Sequence, residues 1–327
     1  MLKSLKPILK ILIPLLIGLV LVWYSFHKIS FKDLRVYLKN IDYIWVFFGA
    51  FLGFLSHLSR AYRWKFMIEP LGYKLRFLNS FMAVFAGYLI NYSVPRAGEV
   101  SRATILANYE KVPFEKGFGT IVAERVADIL VMVFIIAVTL LWKFNIIYNF
   151  LLRNIDFQNQ LLIVFPVILF LSYSFYQVIK KNKHTFFVRI RSFLGGFIEG
   201  LMSILKMRQK WSFIAHTLFI WAMYILMFYV TSHSITQISG LDFSIILIGF
   251  IAASFSVAAT NGGVGAYPLA VYAAFSIFEV PEAPSLAFGW VVWTSQTILI
   301  ITVGGLSLIL LPIYNKFYPK NYNESTT

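Results

Sequence analysis

Long apolar runs separated by short basic stretches are the feature that most constrains this chain. A run of about 20 apolar residues is long enough to cross a bilayer as a helix, and we place full spans at Ile8–Phe26, Tyr43–Leu58, Gly117–Trp142, Leu161–Ile179, Trp211–Thr231 and Phe288–Leu311. Apolar residues make up 59% of the chain and charged residues only 13%, with a mean hydropathy of +0.75. A soluble domain of this length is not that apolar. The sequence therefore predicts an all-α integral membrane protein, a polytopic helical bundle that forms one transmembrane domain over residues 1–327.

The basic residues lie between the apolar runs, and the formal net charge is +15 at pH 7. Lysine and arginine accumulate in cytoplasmic loops, so we expect both termini and the loop Lys180–Lys210 to be cytoplasmic. The natural partners of such clusters are anionic lipid head groups rather than nucleic acid. The chain has no cysteine, which excludes disulfides and Cys-ligated metals. Its histidines have no metal-binding spacing, so we expect no metal and no cofactor.

Two further pairs of apolar runs are each joined by a turn that contains glycine or proline. They are Phe77–Ile90 with Val100–Asn108, and Phe243–Ala259 with Ala266–Phe278. The Lys180–Lys210 loop falls in the cytoplasm only if the first pair enters and leaves on one side, as a re-entrant or broken-helix hairpin. The second pair is a hairpin of the same kind because Ser234–Asp242 before it and Glu279–Pro284 after it contain no lysine or arginine, so we expect both to lie outside. The two hairpins then open to opposite sides. This is typical of an inverted repeat whose broken helices meet near the midplane, with halves at about 43–142 and 211–311.

Residues 186–207 show a different pattern. Apolar residues recur at helical spacing, and Arg189, Glu199 and Lys206 occupy the other face. The pattern predicts an amphipathic helix that lies in the membrane interface or packs against the cytoplasmic side of the bundle.

Charged residues cluster near the first hairpin turn and in the span that follows it. They are Arg96, Glu99, Arg102, Glu124, Arg125 and Asp128. A charge at membrane depth is costly unless it is paired or hydrated, so each is a functional-site hypothesis. Glu124 and Asp128 share one helix face. They either balance the arginines in an ion-pair network or relay protons.

A helix begins at each hairpin turn and would present N–H groups and the positive end of its dipole to an anion. We therefore predict a lipid-phosphate site formed by Arg96, Arg102, Asn261, Gly262, Gly263, Gly265 and Tyr267. Alternatively, the glycines only let helices pack closely. Arg60, Arg63 and Trp64 follow the second span, and we interpret them as interface anchors and a first contact for lipid head groups.

Four segments together resemble the lysylphosphatidylglycerol synthase transmembrane family, also called the flippase-like domain family. They are Pro95–Arg102, Ala123–Asp128, Gly262–Ala266 and the arginine–tryptophan step Arg60–Trp64. Tyr267-Pro268 stand where many members have Arg-Glu. The resemblance implies a multi-span protein of the bacterial or archaeal cytoplasmic membrane. In the aminoacyl-lipid synthases this module translocates the charged lipid, while a separate soluble domain makes it. No such domain is recognisable in this sequence, so we do not expect an enzyme.

The expected function is therefore the transbilayer movement of a lipid with an anionic or zwitterionic head group. Two alternatives remain. One is an intramembrane enzyme that modifies a lipid or polyprenyl-linked sugar, with Glu124 and Asp128 as acid and base. The other is a non-transporting scaffold that binds an envelope-synthesis enzyme.

Overall fold

The computed structural model describes residues 16, 18–27, 36–37, 39–144, 204, 206–260 and 262–319. Every regular element among these residues is helical, which confirms the all-α fold. The chain divides into two compact units, one of residues 1–121 with 208–327 and one of residues 122–207.

We number the α-helices in chain order. They are α1 Gly18–His27, α2 Tyr43–Arg63, α3 Lys65–Ile68, α4 Phe77–Ser93, α5 Ala97–Ile105, α6 Phe114–Trp142, α7 Lys210–Ser232, α8 Thr236–Ser239, α9 Phe243–Ala259, α10 Ala266–Ser276 and α11 Glu282–Phe317. A 3-10 turn, Glu69–Leu71, follows α3, and a π-helical turn, Leu106–Glu110, follows α5.

Among the residues that the structure describes, three helical stretches are long and apolar enough to cross a membrane. They are Tyr43–Leu71, Lys210–Ser232 and Glu282–Phe317, and each contains one of the predicted spans. The predicted span Gly117–Trp142 lies within α6, a single helix of 29 residues. The span Leu161–Ile179 lies outside the described residues, as do the first part of Ile8–Phe26 and nearly all of the predicted amphipathic helix 186–207.

Aspartate side chains cap the N-termini of α2 and α9. The side chain of Asp42 accepts a hydrogen bond from the N–H of Ile44 at 3.0 Å, and Asp242 accepts one from the N–H of Ser244 at 2.8 Å. Each carboxylate satisfies an N–H that has no partner within the helix and lies at the positive end of the dipole. Both helices therefore begin where the sequence changes from polar to apolar.

The first unit is held together by pairs of antiparallel helices. On α2, Gly49 faces Thr231 of α7, and Arg63 bonds to Thr217 of that helix. Similarly, Asn79 near the start of α4 bonds to Asn315 near the end of α11. Because residue numbers rise on one helix as they fall on the other, the members of each pair run in opposite directions.

Both predicted hairpins are pairs of helices packed against each other. In the first, Gly87 of α4 lies against Gly98 and Arg102 of α5. In the second, Gly249 of α9 lies against Phe275 of α10. The lack of a side chain at Gly87 and Gly249 lets the helices of each pair approach closely.

The order of elements repeats along the chain. In each half a long helix is followed by a short one, a helix of 17 residues, a turn, a shorter helix and a final long helix. The first helices of the halves, α2 and α7, run antiparallel, which an inverted repeat requires. The inverted repeat, and the position of the hairpins in the membrane, stay predictions.

Candidate functional site

The turns of the two hairpins lie in contact. A Cβ atom on Gly262, in the second turn, would lie 2.9 Å from the ring of Tyr92 at the end of α4. Both are also tied to α11, since Tyr92 Oη lies 3.2 Å from Oγ1 of Thr297 and Trp293 Nε1 donates to the Gly262 carbonyl at 2.8 Å. The two breaks, separated widely in sequence, therefore form one junction.

The two turns share a backbone pattern. The residue after the first helix is extended in each, and its N–H bonds back to the helix: Val94 to Ile90 at 2.8 Å, and Thr260 to Ser256 at 3.0 Å. The residue before the second helix is left-handed, Arg96 with φ +62° and Gly265 with φ +67°. Such a φ is uncommon for a residue with a side chain.

Gly265 also lies against the backbone of α1. A Cβ atom there would lie 2.5 Å from the Val22 nitrogen. Both this contact and the positive φ require glycine. Gly263 likewise has a φ of +77° and is buried, and Tyr267 is buried beside it. Asn261, the remaining predicted residue of this turn, lies outside the described residues.

The N-terminus of each second helix already has acceptors. On α5, the N–H of Gly98 donates to Oδ1 of Asn91 at 2.7 Å, and the carboxylate of Glu99 stands in the first turn. On α10, the N–H of Tyr267 donates to the Gly263 carbonyl at 2.9 Å, and Pro268 has no N–H. Few of the N–H groups predicted to bind phosphate are therefore available at these helix ends.

A second group of predicted residues is buried inside the first unit. Arg60, Arg63 and Arg102 are 2%, 0% and 3% exposed, and Trp64 is fully buried. We interpreted Arg60, Arg63 and Trp64 as interface anchors, but the structure places them within the helical packing. Buried arginines are rare because removing a charge from water is costly unless partners compensate.

Trp64 supports the side chain of Arg102. The guanidinium carbon of Arg102 lies 4.3 Å from the centroid of the Trp64 rings, a cation–π contact. The indole Nε1 donates to Oγ1 of Thr120 at 2.8 Å, which fixes the ring plane. Gly87 makes room for the arginine, since a Cβ atom there would lie 2.8 Å from its Cγ. Three segments, the end of α2, α4 and the start of α6, thus position Arg102.

Arg63 has its own supports on α7. Its Nη1 donates to Oγ1 of Thr217 at 2.6 Å, and its guanidinium carbon lies 4.9 Å from the centroid of Phe213. Arg60 and Arg63 occupy the last turn of α2, where a positive charge is favourable to the helix dipole. We call Arg60, Arg63, Trp64 and Arg102 the arginine layer.

Arg96 lies in a different environment from Arg102. Its side chain is exposed at the tip of the first hairpin, whereas Arg102 is buried further along α5. The two predicted phosphate ligands therefore occupy the outer and inner ends of one helix rather than one shared pocket.

The second unit contains the predicted carboxylates. Glu124 is fully buried and Asp128 is 7% exposed. Nη1 of Arg125 lies 3.8 Å from Oδ2 of Asp128, a loose ion pair whose arginine is partly exposed. Both roles that the sequence predicts for Glu124 and Asp128, charge balance of arginines and a proton relay, stay predictions. No three His, Asp or Glu residues in the described part of the chain lie close enough to hold a metal ion.

One polar cluster was not predicted. Arg76 Nε lies 2.8 Å from Oε1 of Glu110, a fully buried carboxylate, and Asn79 Nδ2 donates to the same oxygen at 2.5 Å. Arg76 and Asn79 also donate to Oδ1 of Asn315 at 2.7 and 2.8 Å. We call these four residues the base cluster, because they join both ends of the first hairpin to the end of α11. The signal was present in the sequence as isolated asparagines within apolar runs.

Comparison with known proteins identifies the family. The family model described as "Lysylphosphatidylglycerol synthase TM region" matches residues 11–305. The UPF0104 membrane protein MJ1595 of Methanocaldococcus jannaschii is 36% identical over 100 residues, which cover 30% of this chain and 30% of that protein. No solved structure matches. Because the family model extends over most of its length, the chain belongs to the lysylphosphatidylglycerol synthase transmembrane-region family.

Proposed function

We propose that this chain binds a membrane lipid by its head-group phosphate at the arginine layer and moves the lipid between leaflets. The observation that carries the proposal is the buried guanidinium of Arg102, stacked on Trp64 within an apolar helical bundle. A buried cation in a membrane protein marks a functional site by default.

The cation–π contact with Trp64 is compatible with phosphate binding by Arg102. A guanidinium that meets a ring through its face keeps its N–H groups in the plane, where they can bond two oxygens of one anion. In the resting protein Arg102 has protein partners. A lipid phosphate would replace them, so that the charge is never left without compensation in the low-dielectric interior.

The position of the two arginines on α5 suggests a path. Arg96 is exposed at the hairpin tip and would meet the head group first. Arg102 would bind the phosphate next, further inside. Glu124 and Asp128, in the second unit, are proposed separately to balance charge or carry protons.

Replacing Arg102 tests the proposal. We expect Arg102→Gln to slow the exchange of a fluorescent phospholipid between the leaflets of proteoliposomes by about tenfold to a hundredfold, because a charge-assisted hydrogen bond contributes roughly 1.5–3 kcal/mol. Arg102→Lys should lie between this variant and wild type, because an ammonium cannot bind phosphate in a bidentate manner. Arg208→Gln, which removes an exposed arginine outside the layer, is the matched control and should exchange lipid normally.

Thermal unfolding identifies variants that fail to fold. Trp64→Phe provides a second variant, since it keeps an aromatic ring but loses the hydrogen bond to Thr120. We expect it to slow exchange and to destabilise the protein less than Arg102→Gln does. If folded Arg102→Gln and Trp64→Phe both exchange lipid at the wild-type rate, the arginine layer does not bind the transported head group.

A further inference from the structure

An open groove of about 490 Å³ runs along the contact between α2 and α7. Its lining residues are Leu55, Leu58, Ser59, Tyr62, Phe77, Ala215, His216 and Phe219. The two helices are antiparallel, so Leu55 and Phe219 lie towards one end, and Tyr62 and His216 towards the other. The walls of the groove are almost entirely apolar, and its few polar side chains lie towards the end with Tyr62 and His216.

A cation lies beside the Tyr62 end of the groove. Nζ of Lys65 donates to Oη of Tyr62 at 2.5 Å and lies 3.8 Å from the centroid of the Tyr62 ring. Beside it, Oγ of Ser59 lies 2.8 Å from Nδ1 of His216. An ammonium group carries three N–H donors, and the bond to Tyr62 uses one of them. Lys65 thus offers charge and donors next to an apolar channel.

A second groove provides a comparison within the same unit. It has about 360 Å³ and lies between α4 and α11, where Tyr314 forms part of its wall. The cation beside it, Arg76, lies 5.5 Å from the Tyr314 ring centroid. Arg76 is neutralised by Glu110 and donates to three further oxygens, those of Tyr109, Asn315 and Tyr318. The cation beside this groove is therefore already neutralised and hydrogen-bonded within the protein.

We infer that the groove between α2 and α7 binds one anionic phospholipid, with an acyl chain along Leu55, Leu58 and Phe219 and its phosphate at Lys65. Charge complementarity identifies the occupant, because α7 begins at the same end with Lys210, preceded by exposed Arg208. Basic residues beside an apolar surface attract anionic lipids. The site is on the outer face of the α2–α7 pair and differs from the arginine layer. It would retain its lipid whether or not the layer moves one.

Native mass spectrometry of the full chain in detergent tests this site, with phosphatidylglycerol and phosphatidylcholine titrated separately. Wild type should bind phosphatidylglycerol more tightly. Lys65→Gln should weaken phosphatidylglycerol binding about tenfold and leave phosphatidylcholine binding unchanged. Ala215→Phe fills the groove from its wall and should weaken the binding of both lipids. Lys116→Gln is the matched control, since Lys116 also lies over a tyrosine ring, at 5.0 Å from the centroid of Tyr73, but Tyr73 does not line the groove as Tyr62 does.

The outcomes separate this site from the proposed function. Arg102→Gln should slow leaflet exchange while phosphatidylglycerol binding in the groove stays at the wild-type level. Lys65→Gln should weaken phosphatidylglycerol binding in the groove while leaflet exchange stays at the wild-type rate. Equal affinity of the wild type for the two lipids would overturn the inference. So would wild-type phosphatidylglycerol binding by folded Lys65→Gln, or loss of the groove lipid in Arg102→Gln.

Discussion

Gly98→Ala is expected to disrupt the first hairpin. A Cβ atom at this position would overlap the carbonyl oxygen of Gly87 and lie 2.7 Å from Cγ of Asn91. The obstacle is the backbone of α4, which cannot move aside as a flexible side chain would. Arg102 also packs against Gly87. Overpacking of this kind costs roughly 1–3 kcal/mol or more. It should outweigh the gain of about 1 kcal/mol that alanine has over glycine in a helix.

The melting temperature of the purified protein, followed by tryptophan fluorescence, measures this effect. Gly305→Ala is the matched control, since Gly305 is also helical and a Cβ atom there would meet nothing within 4 Å. We expect the control to melt at or above the wild-type temperature and Gly98→Ala well below it. Equal melting temperatures for the two variants would show that α4 and α5 do not pack as described.

Glu110→Gln is expected to have the second large effect. The change keeps the shape of the side chain and removes the charge that compensates Arg76. Breaking a buried ion pair by removing one partner costs about 3–5 kcal/mol. Because the Arg76 side chain is 25% exposed and water can reach it, we expect a loss near the lower limit.

A double-mutant cycle isolates the interaction. Arg76→Gln combined with Glu110→Gln should be less destabilising than the sum of the two single changes, since neither charge is then left alone. Glu115→Gln removes an exposed carboxylate five positions later and should change the unfolding free energy by less than about 0.5 kcal/mol. Additive effects in the cycle would contradict a direct interaction between Arg76 and Glu110.

The elements of the fold could be predicted from the sequence because apolar length and loop charge are local properties. The helix α2 continues beyond the predicted span Tyr43–Leu58 to Arg63. Two arginines after an apolar run indicated the membrane surface. Both are buried, and for Arg63 the partners Thr217 and Phe213 come from α7, about 150 positions later. No local pattern reveals such a partner.

The candidate site could be predicted only in part for the same reason. The sequence identified Arg102 and Trp64 separately, and their cation–π contact follows from packing. It also indicated that the two turns would come together, but not that Tyr92 would join them. Asn91 was missed as a cap because it bonds to Gly98 across the turn, seven positions away, which is outside the usual spacing of a helix cap.

The π-helical turn Leu106–Glu110 has a consequence for how the length of this chain can vary. A π turn closes over one residue more than an α turn, so it holds a residue that the helix could lose. Deleting one residue from 106–109 would convert the turn to an α turn and leave Glu110 directed at Asn79. A deletion within α4 or α5 would instead rotate every later side chain of that helix by about 100° and separate the members of the base cluster. Insertions and deletions among related sequences should therefore accumulate at this turn and be rare in the helices on either side.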